Sequence, residues 1–392
     1  MHSRPNQARP VASATSRCLK AEGDLRQMYE LLMEARSQTD DWRYWHVGEL
    51  AFGFFMIDCH LDPRKHVRVW HDGDKLVGYA LLGDDAYFDW QVLPEVEGTG
   101  IETEAIAWAE GLLAELRAGD AERWKGPMMV GTRHDNAERI AFLEEHGFHR
   151  GEYVEVNMLR SLEEAWPPEE LPPLALPGGF RVRSLAGDAA EVADRAAAHR
   201  EVWRPWTVGE VTDEQYARFM QMPGYDRDLD VVAVAPDGTI AAYVNGWLDP
   251  VNKIGDFGPV GAREAYRRQG LTRAVLLECM RRMKTRGMDR VCVSTGEPNA
   301  AARGLYESIG FRIVNRYVEY ARASWGDTRP QLTDRSCGCL RPVCGIRLPS
   351  IAVGGRLGTW TRRMPSNFDC RTPDATMSFR EPPRNASGSS GH

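Results

Sequence analysis

The 392-residue chain has no apolar run approaching the ~18 residues needed to cross a bilayer, so no membrane-spanning helix and no membrane partner are expected. Its first twenty residues carry scattered Arg but lack the apolar stretch that marks a secretory leader. Cysteine is scarce: eight residues are too few for a disulfide framework, and Cys279 and Cys292 fall in helix-like and strand-like stretches. Reduced thiols in a cytoplasmic protein are the expectation. Cys337, Cys339 and Cys344 are irregularly spaced with no His among them, unlike the paired spacings of zinc modules, so no metal is expected. A basic surplus is missing too. Net charge is −7, and residues 324–392 hold ten Arg, no Lys and five acids, which leaves −12 on residues 1–323. An acidic body argues against nucleic-acid binding through a basic face, while leaving room for an anion held by a few local Arg.

The chain does have enough apolar residues, 43%, to build sizeable cores, and three shifts in composition divide it. Residues 161–178 are Pro-rich without periodicity and read as a linker. From 324 onward Pro, Gly, Ser and Arg interrupt every short apolar run, so 324–392 reads as a disordered tail, as does the N-terminus, 1–16. Two segments of similar length remain, 17–160 and 179–323.

Each segment reads in the same order. In the second, a strand at 180–183 precedes helical stretches over 189–220. Strands at 229–235 and 239–248 flank the turn Pro236-Asp237-Gly238, and a further strand covers 256–262. A Gly-containing loop leads into a helix with Leu276, Cys279, Met280 and Met283 on one face, ended by Gly287. A strand at 290–294, a helix at 300–309 and a strand at 312–320 close it. The first segment repeats this from 67 onward: a meander over 67–70, 76–82 and 87–93, a helix at 102–117, a strand at 128–131, a helix at 136–146 and a strand at 153–159. Asn136…Leu143…Gly147-Phe148 and Asn299…Tyr306…Gly310-Phe311 have equal spacing, which an internal duplication explains. The fold class expected is α/β (α+β): two tandem domains, each a mixed, mainly antiparallel sheet flanked by helices.

The loop Arg267-Arg268-Gln269-Gly270-Leu271-Thr272, followed by Arg273, lies between a strand and a helix. A glycine there lets backbone amides approach an anion, and the first helical turn adds unpaired N–H groups and the positive end of the dipole. Alone, a basic turn before a helix is more often just a turn. Combined with Asn299, Tyr306 and Gly310-Phe311 downstream, the pattern resembles the GNAT superfamily of N-acetyltransferases over the whole second segment and, more weakly, the first.

The resemblance implies acetyl-CoA as co-substrate, with its pyrophosphate on Arg267, Arg268, Gln269, Gly270, Leu271, Thr272 and Arg273 and its pantetheine arm beside Asn299. It also implies backbone pairing of the pantetheine with Val260, Gly261 and Ala262, and Tyr306 near the thioester sulfur. Thr272 departs from the usual Gly or Ala and crowds the phosphates. A phenol with a reference pKa near 10 stays protonated at neutral pH, which suits Tyr306 as general acid toward a departing thiolate; otherwise it packs the helix onto the sheet. Asp249, Asp256 and Glu297 are candidate bases, Asp256 being preferred, although each also reads as a solvated strand-end carboxylate. Related tandem sequences often carry Glu at the place of Gly258.

The first segment has Glu97 where a phosphate-facing Arg stands in the second, Glu102 and Glu104 at the helix start, and Leu143 in place of Tyr306. A carboxylate about 5 Å from a phosphate repels it by roughly 3 kcal/mol at an effective dielectric near 20. This half is expected to be a degenerate domain that scaffolds the other or helps close its cleft. Trp203, Trp206 and Trp247 wall an acceptor pocket or fill cores; His199 is a surface or packed residue. The function expected is acetyl transfer from acetyl-CoA to a primary amine of a small molecule. A non-catalytic acyl-CoA-binding sensor or interaction module is the alternative, and a longer acyl chain a third reading.

Overall fold

The computed structural model describes residues 14–322 apart from 21, 40–41, 54–55, 57, 164–175, 177 and 205–210. The expected tail at 324–392, most of the linker at 161–178, most of the N-terminal 1–16 and Trp206 lie outside these residues. In chain order the first half contains β1 (Thr15–Cys18), α1 (Glu22–Gln38), α2 (Val47–Phe52), α3 (Pro63–His66), β2 (Val67–Asp72), β3 (Lys75–Leu82), β4 (Phe88–Val92), α4 (Ile101–Gly119), β5 (Met128–Arg133), α5 (Ala137–Glu145) and β6 (His149–Ser161). The second contains β7 (Arg181–Ser184), α6 (Ala189–Trp203), α7 (Asp213–Phe219), β8 (Asp230–Val234), β9 (Ile240–Asp249), β10 (Ile254–Ala262), α8 (Leu271–Thr285), β11 (Arg290–Gly296), α9 (Ala300–Ser308) and β12 (Arg312–Arg322). Everything from β2 onward matches a segment expected from periodicity; β1 and α1 to α3 do not.

Strands β1-β2-β3-β4 form an antiparallel sheet, and the remaining eight form a second sheet in the order β5-β12-β6-β11-β10-β9-β8-β7. That order interleaves the halves. β6, the last strand of the first half, pairs antiparallel with β11 from Arg290↔Ser161 to Gly296↔Glu155. β12, the last strand of the second half, pairs with β5 of the first. The two exchanged strands also pair with each other. Each half thus lends its final strand to its partner's sheet.

Alternation along β6 explains why the exchange holds. Val156 and Met158 are fully buried against Leu276, Met280, Ile309 and Phe311 of the second half, on the face covered by α8 and α9. Their even-numbered register turns Tyr153, Glu155 and Asn157 to the opposite face. A second core joins residues of the first half to Val202, Trp203, Tyr216, Phe219, Tyr243 and Trp247 of the second. Across this shared surface Arg36 of α1, itself buried, lies 3.5 Å from Asp249 of β9 and donates to the Tyr44 carbonyl at 3.0 Å.

α2 is the other tie. Its N-cap His46 accepts from Gly48 N through Nδ1 (3.2 Å), while Glu49 reaches back to His46 N (3.0 Å), a reciprocal cap. The His46 Nε2 lies 3.3 Å from the Ile254 carbonyl of β10. Burial first, then the nearby Arg36 charge, hold the imidazole well below its ordinary pKa. It is therefore neutral, with Nε2–H donating to Ile254.

Candidate active site

β10 and β11 run parallel but pair only from Ile254↔Arg290 to Asp256↔Cys292, then diverge. On its other side β10 continues to pair with β9, through a bulge at Gly258-Pro259 (a cis peptide), to Val260↔Val244, Gly261↔Tyr243 and Ala262↔Ala242. Val260, Gly261 and Ala262 therefore present a strand edge to the gap with no partner strand among the described residues in that register. An extended amide-bearing chain can pair there as an added strand.

Beyond Ala262 the chain makes a 3-10 turn, Glu264–Tyr266, and enters the basic loop. Arg267, Arg268, Gln269 and Gly270 are exposed, Leu271 is buried, and Thr272 and Arg273 are half-buried. Gly270, at φ +79°, is the left-handed N-cap of α8; no side chain caps the helix and no acid sits in its first turn. A left-handed conformation suits glycine, and an uncapped first turn leaves N–H groups for an anion. Arg268 also has positive φ, 60°.

The corresponding loop of the first half is closed by its own side chains. Gly100, at φ +106°, opens α4 in the same way, yet the Glu102 carboxylate accepts from Gly98 N at 2.8 Å. Glu104 accepts from Trp70 Nε1 at 2.9 Å, and Glu97 is held by Tyr44 Oη and Arg43, each at 2.7 Å. A carboxylate thus occupies one loop amide, that of Gly98, at the place where a phosphate would approach. Glu102 and Glu104, the acids at the helix start, are both engaged because the turn and Trp70 offer them donors.

Tyr306 and Asp256 lie on opposite faces of the sheet. Tyr306 is buried on the face covered by α8 and α9, its ring 5.9 Å from Phe311, which in turn lies 6.1 Å from Phe257 of β10. The next residue back along β10, Asp256, points the other way, toward α2. Cys292 Sγ donates to its Oδ1 at 3.4 Å, and neutral His46 lies 3.7 Å from Oδ2. Burial raises the Asp256 carboxyl to about 6, against the opposing pull of Cys292 and Arg36. Glu49 of α2 is raised further, to about 8, by burial and then by the neighbouring Asp256 and Glu155 carboxylates.

Asn299 caps α9, accepting from Ala302 N at 3.2 Å and donating to Thr295 Oγ1 at 3.2 Å, and is buried. The other two candidate bases have structural partners: Asp249 accepts from Asn252 and pairs with Arg36, and Glu297 pairs with Arg316 at 2.9 Å. Trp247 is a core residue whose Nε1 donates to the Gly258 carbonyl at 2.7 Å, and Trp203 and His199 are buried beside it in the shared core. No cluster of metal-ligating side chains occurs among the described residues.

Sequence reasoning missed Glu49, Glu155 and Glu319. With Trp45, Tyr153, Tyr317 and others they line a cleft of about 490 Å³, counting the part open to solvent. Its walls come from α2, β6 and β12, far apart in sequence. A signal existed only in β6, where Tyr153, Glu155 and Asn157 alternate with apolar residues on a strand covered on both faces.

Residues 195–311 match the model of the acetyltransferase (GNAT) family. A mycothiol acetyltransferase of Thermobispora bispora is 32% identical over 264 residues, 64% of this chain and 82% of that protein. One from Saccharomonospora viridis is 25% identical over 199 residues, 49% of this chain, and that match spans 62% of the relative's length. A GCN5-related N-acetyltransferase from Sphaerobacter thermophilus aligns with a TM-score of 0.51 at 21% identity, over 78% of this chain and 94% of that one. A tandem GNAT protein from the clavulanic acid biosynthesis pathway gives 0.53 at 18% identity, over 80% and 100%. At such identities the two structures bear on fold alone. The chain belongs to the GNAT family of acetyltransferases. Its two halves carry that fold in tandem, the second with the acetyl-CoA motifs and the first degenerate.

Proposed function

We propose that the second domain, 179–323, transfers an acetyl group from acetyl-CoA to a primary amine of a small molecule by direct attack, with the first domain, 17–160, as scaffold and cleft wall. The observation that carries this reading is the open edge of Val260–Ala262 leading into the uncapped, basic start of α8. Pantetheine amides pair with that edge, and the pyrophosphate takes the amides of 270–273 with Arg267 and Arg268.

Acetyl-CoA supplies the activated acyl group. The strand edge at Val260 offers a backbone donor to the carbonyl oxygen as negative charge develops there. Tyr306, behind the gap on the α8/α9 face, donates toward the departing sulfur. Asp256, in front, takes the proton of the attacking nitrogen. A free carboxylate near 3.9 is a poor acceptor for an amine proton, so a carboxyl raised to about 6 lowers that mismatch by about 2 pKa units, roughly 3 kcal/mol. Gly258, where related proteins often carry Glu, lies on the same face. A Cβ built there is 3.9 Å from Asp256 Oδ2, so Asp256 serves the region the missing carboxylate would reach.

The test is calorimetric titration of acetyl-CoA with turnover of an amine panel. One site per chain is expected, lost in Arg268→Glu and retained in Glu97→Arg. Tyr306→Phe and Asp256→Asn should keep acetyl-CoA binding while kcat falls about 10- to 100-fold. Binding without turnover of any amine would favour a non-catalytic acyl-CoA sensor; no binding by the wild type would sink both readings.

A further inference from the structure

Resting on the transferase reading, we infer that Glu49, which α2 of the first half carries into the cleft, is a catalytic residue that takes the first of two protons the acceptor must lose. The degenerate half thereby supplies a group that touches the acceptor.

The chemistry needs two proton acceptors. A primary amine reaches the enzyme as an ammonium, because its pKa lies near that of a lysine side chain, about 10.4. It loses one proton to expose the nitrogen lone pair. The N–C bond then forms as the thioester carbonyl opens, and the nitrogen becomes positive again. Its second proton leaves to Asp256 as the C–S bond breaks and Tyr306 protonates the sulfur. Two protons thus leave the nitrogen and one ends on the sulfur, so each turnover releases one proton to water. Asp256 accounts for the second of the two; the first needs another base.

Glu49 is placed for it. The residue lines the cleft between α2, β6 and β12 and is half-buried, while Asp256 is 4% exposed and is not among the lining residues. An acceptor entering that cleft meets Glu49 first. The reciprocal cap of α2 fixes the carboxyl: Oε2 accepts from His46 N at 3.0 Å, and Oε1 has no hydrogen-bond partner among the described residues. The same helix holds it beside Asp256, since a Cβ on the preceding residue, Gly48, would lie 2.5 Å from Asp256 Oδ2. Trp45, Tyr87 and Tyr317 give the cleft aromatic faces for the ammonium before it gives up its charge.

The surroundings of Glu49 decide when it can act. Around it stand Asp256 of β10, Cys292 of β11, Glu155 of β6, Tyr317 of β12, Tyr79 of β3 and Arg36 of α1, with His46 at its own cap. Burial, then Asp256 and Glu155, raise the Glu49 carboxyl to about 8, against the pull of Arg36. Burial likewise lifts Cys292, Tyr79 and Tyr317 above their ordinary values and holds His46 well below its own. None of these four therefore changes charge between pH 7 and 9. Asp256, raised to about 6, is already largely ionised there. Glu49 is no base while it keeps its proton, and it becomes one as pH rises through about 8.

The experiment measures kcat/KM of the wild type and of Glu49→Gln for one amine that the wild type acetylates, from pH 6 to 9, with acetyl-CoA affinity alongside. Gln keeps the acceptor oxygen that the cap requires. Dividing one profile by the other cancels the acceptor's own ionisation. The ratio is expected to rise from near unity at pH 6 to about 10- to 100-fold at pH 9, with a midpoint near 8 and equal acetyl-CoA affinity in the two proteins. A ratio of unity throughout, or a loss that does not change with pH, overturns the inference and leaves the transferase reading standing. The wild type alone gives a second measurement should the variant unfold: its kcat at saturating amine is expected to rise through the same range, and a kcat flat from pH 7 to 9 overturns the inference. Acetyl-CoA binding without turnover of any amine removes the transferase reading and the inference with it.

Discussion

Asp256 sits close enough to Glu49 to discourage it from ionising, and burial acts on both carboxyls in the same direction. The consequence for stability has a definite sign. Glu49 is raised from 4.5 to about 8, so between these values the unfolded chain releases a proton that the folded chain retains. Stability is therefore greatest below about pH 4.5 as far as this group is concerned, and it declines as pH rises toward 8. Asp256 contributes likewise over a lower window, up to about 6. Glu49→Gln removes the larger contribution. Relative to the wild type, its melting temperature should rise between pH 4 and pH 8.5, because only the wild type loses the contribution of this carboxyl over that window. Thermal unfolding at the two pH values checks this; an equal offset at both would mean that Glu49 ionises freely in the fold. Residue identity also sets the degenerate first half apart. Leu143, fully buried, stands at the position of Tyr306 in the repeat, and Glu102 takes the Gly98 amide.

At the scale of elements, α2 brings the first half onto the Asp256 face of β10. Gly48 permits this. A Cβ at Gly48 would come within 2.5 Å of Asp256 Oδ2 and 2.6 Å of the Trp247 ring. Gly→Ala inside an exposed helix ordinarily gains up to about 1 kcal/mol, but overpacking of a filled core costs about 1–3 kcal/mol, so here the contact decides the sign. Gly48→Ala is expected to lower the melting temperature and to reduce turnover while leaving acetyl-CoA affinity intact, because α8 and its loop lie on the other side of the sheet. A stabilised Gly48→Ala protein in a melting experiment would show that α2 is not held against Asp256. Helices α1 and α2 were not legible as such: α2 has only six residues, too few for a 3.6-residue period to be read, and its capping pair is His46 and Glu49 rather than Ser or Thr with Glu. From β2 on, by contrast, the alternation and the two Gly-opened helices α4 and α8 made the order of elements readable.

The whole molecule is tied by the exchange of β6 and β12. A second half expressed alone would lose β6 from between β11 and β12, leaving two unpaired edges and exposing the apolar wall that Val156 and Met158 cover. Residues 176–392 alone are therefore expected to aggregate on size-exclusion chromatography, whereas co-expression with 1–163 should restore a soluble complex that binds acetyl-CoA. A monomeric, cooperatively melting second half would show that the exchanged strand is dispensable. The same exchange puts Glu155 of the first half and Glu319 of the second on neighbouring strands of one cleft, so that cleft belongs to neither half alone.

Sequence by itself determined the local and repeated features of this protein: the duplicated order of elements, the Gly-opened helix after a strand, the Arg267–Thr272 loop, Tyr306 and its spacing, and the loss of these groups in the first half. Such features are legible because helix and strand periods, turns and loop charges depend on residues close together in the chain. Only the tertiary structure decided which half each final strand joins and which carboxylates share a wall. It also separated Asp256, buried beside Glu49, from Asp249, paired with Arg36. The reason is physical: strand exchange and burial depend on contacts between residues far apart in the chain, as Arg36–Asp249 and Glu155–Glu319 are, and the proton affinity of a carboxyl follows from the charges and solvent those contacts leave around it.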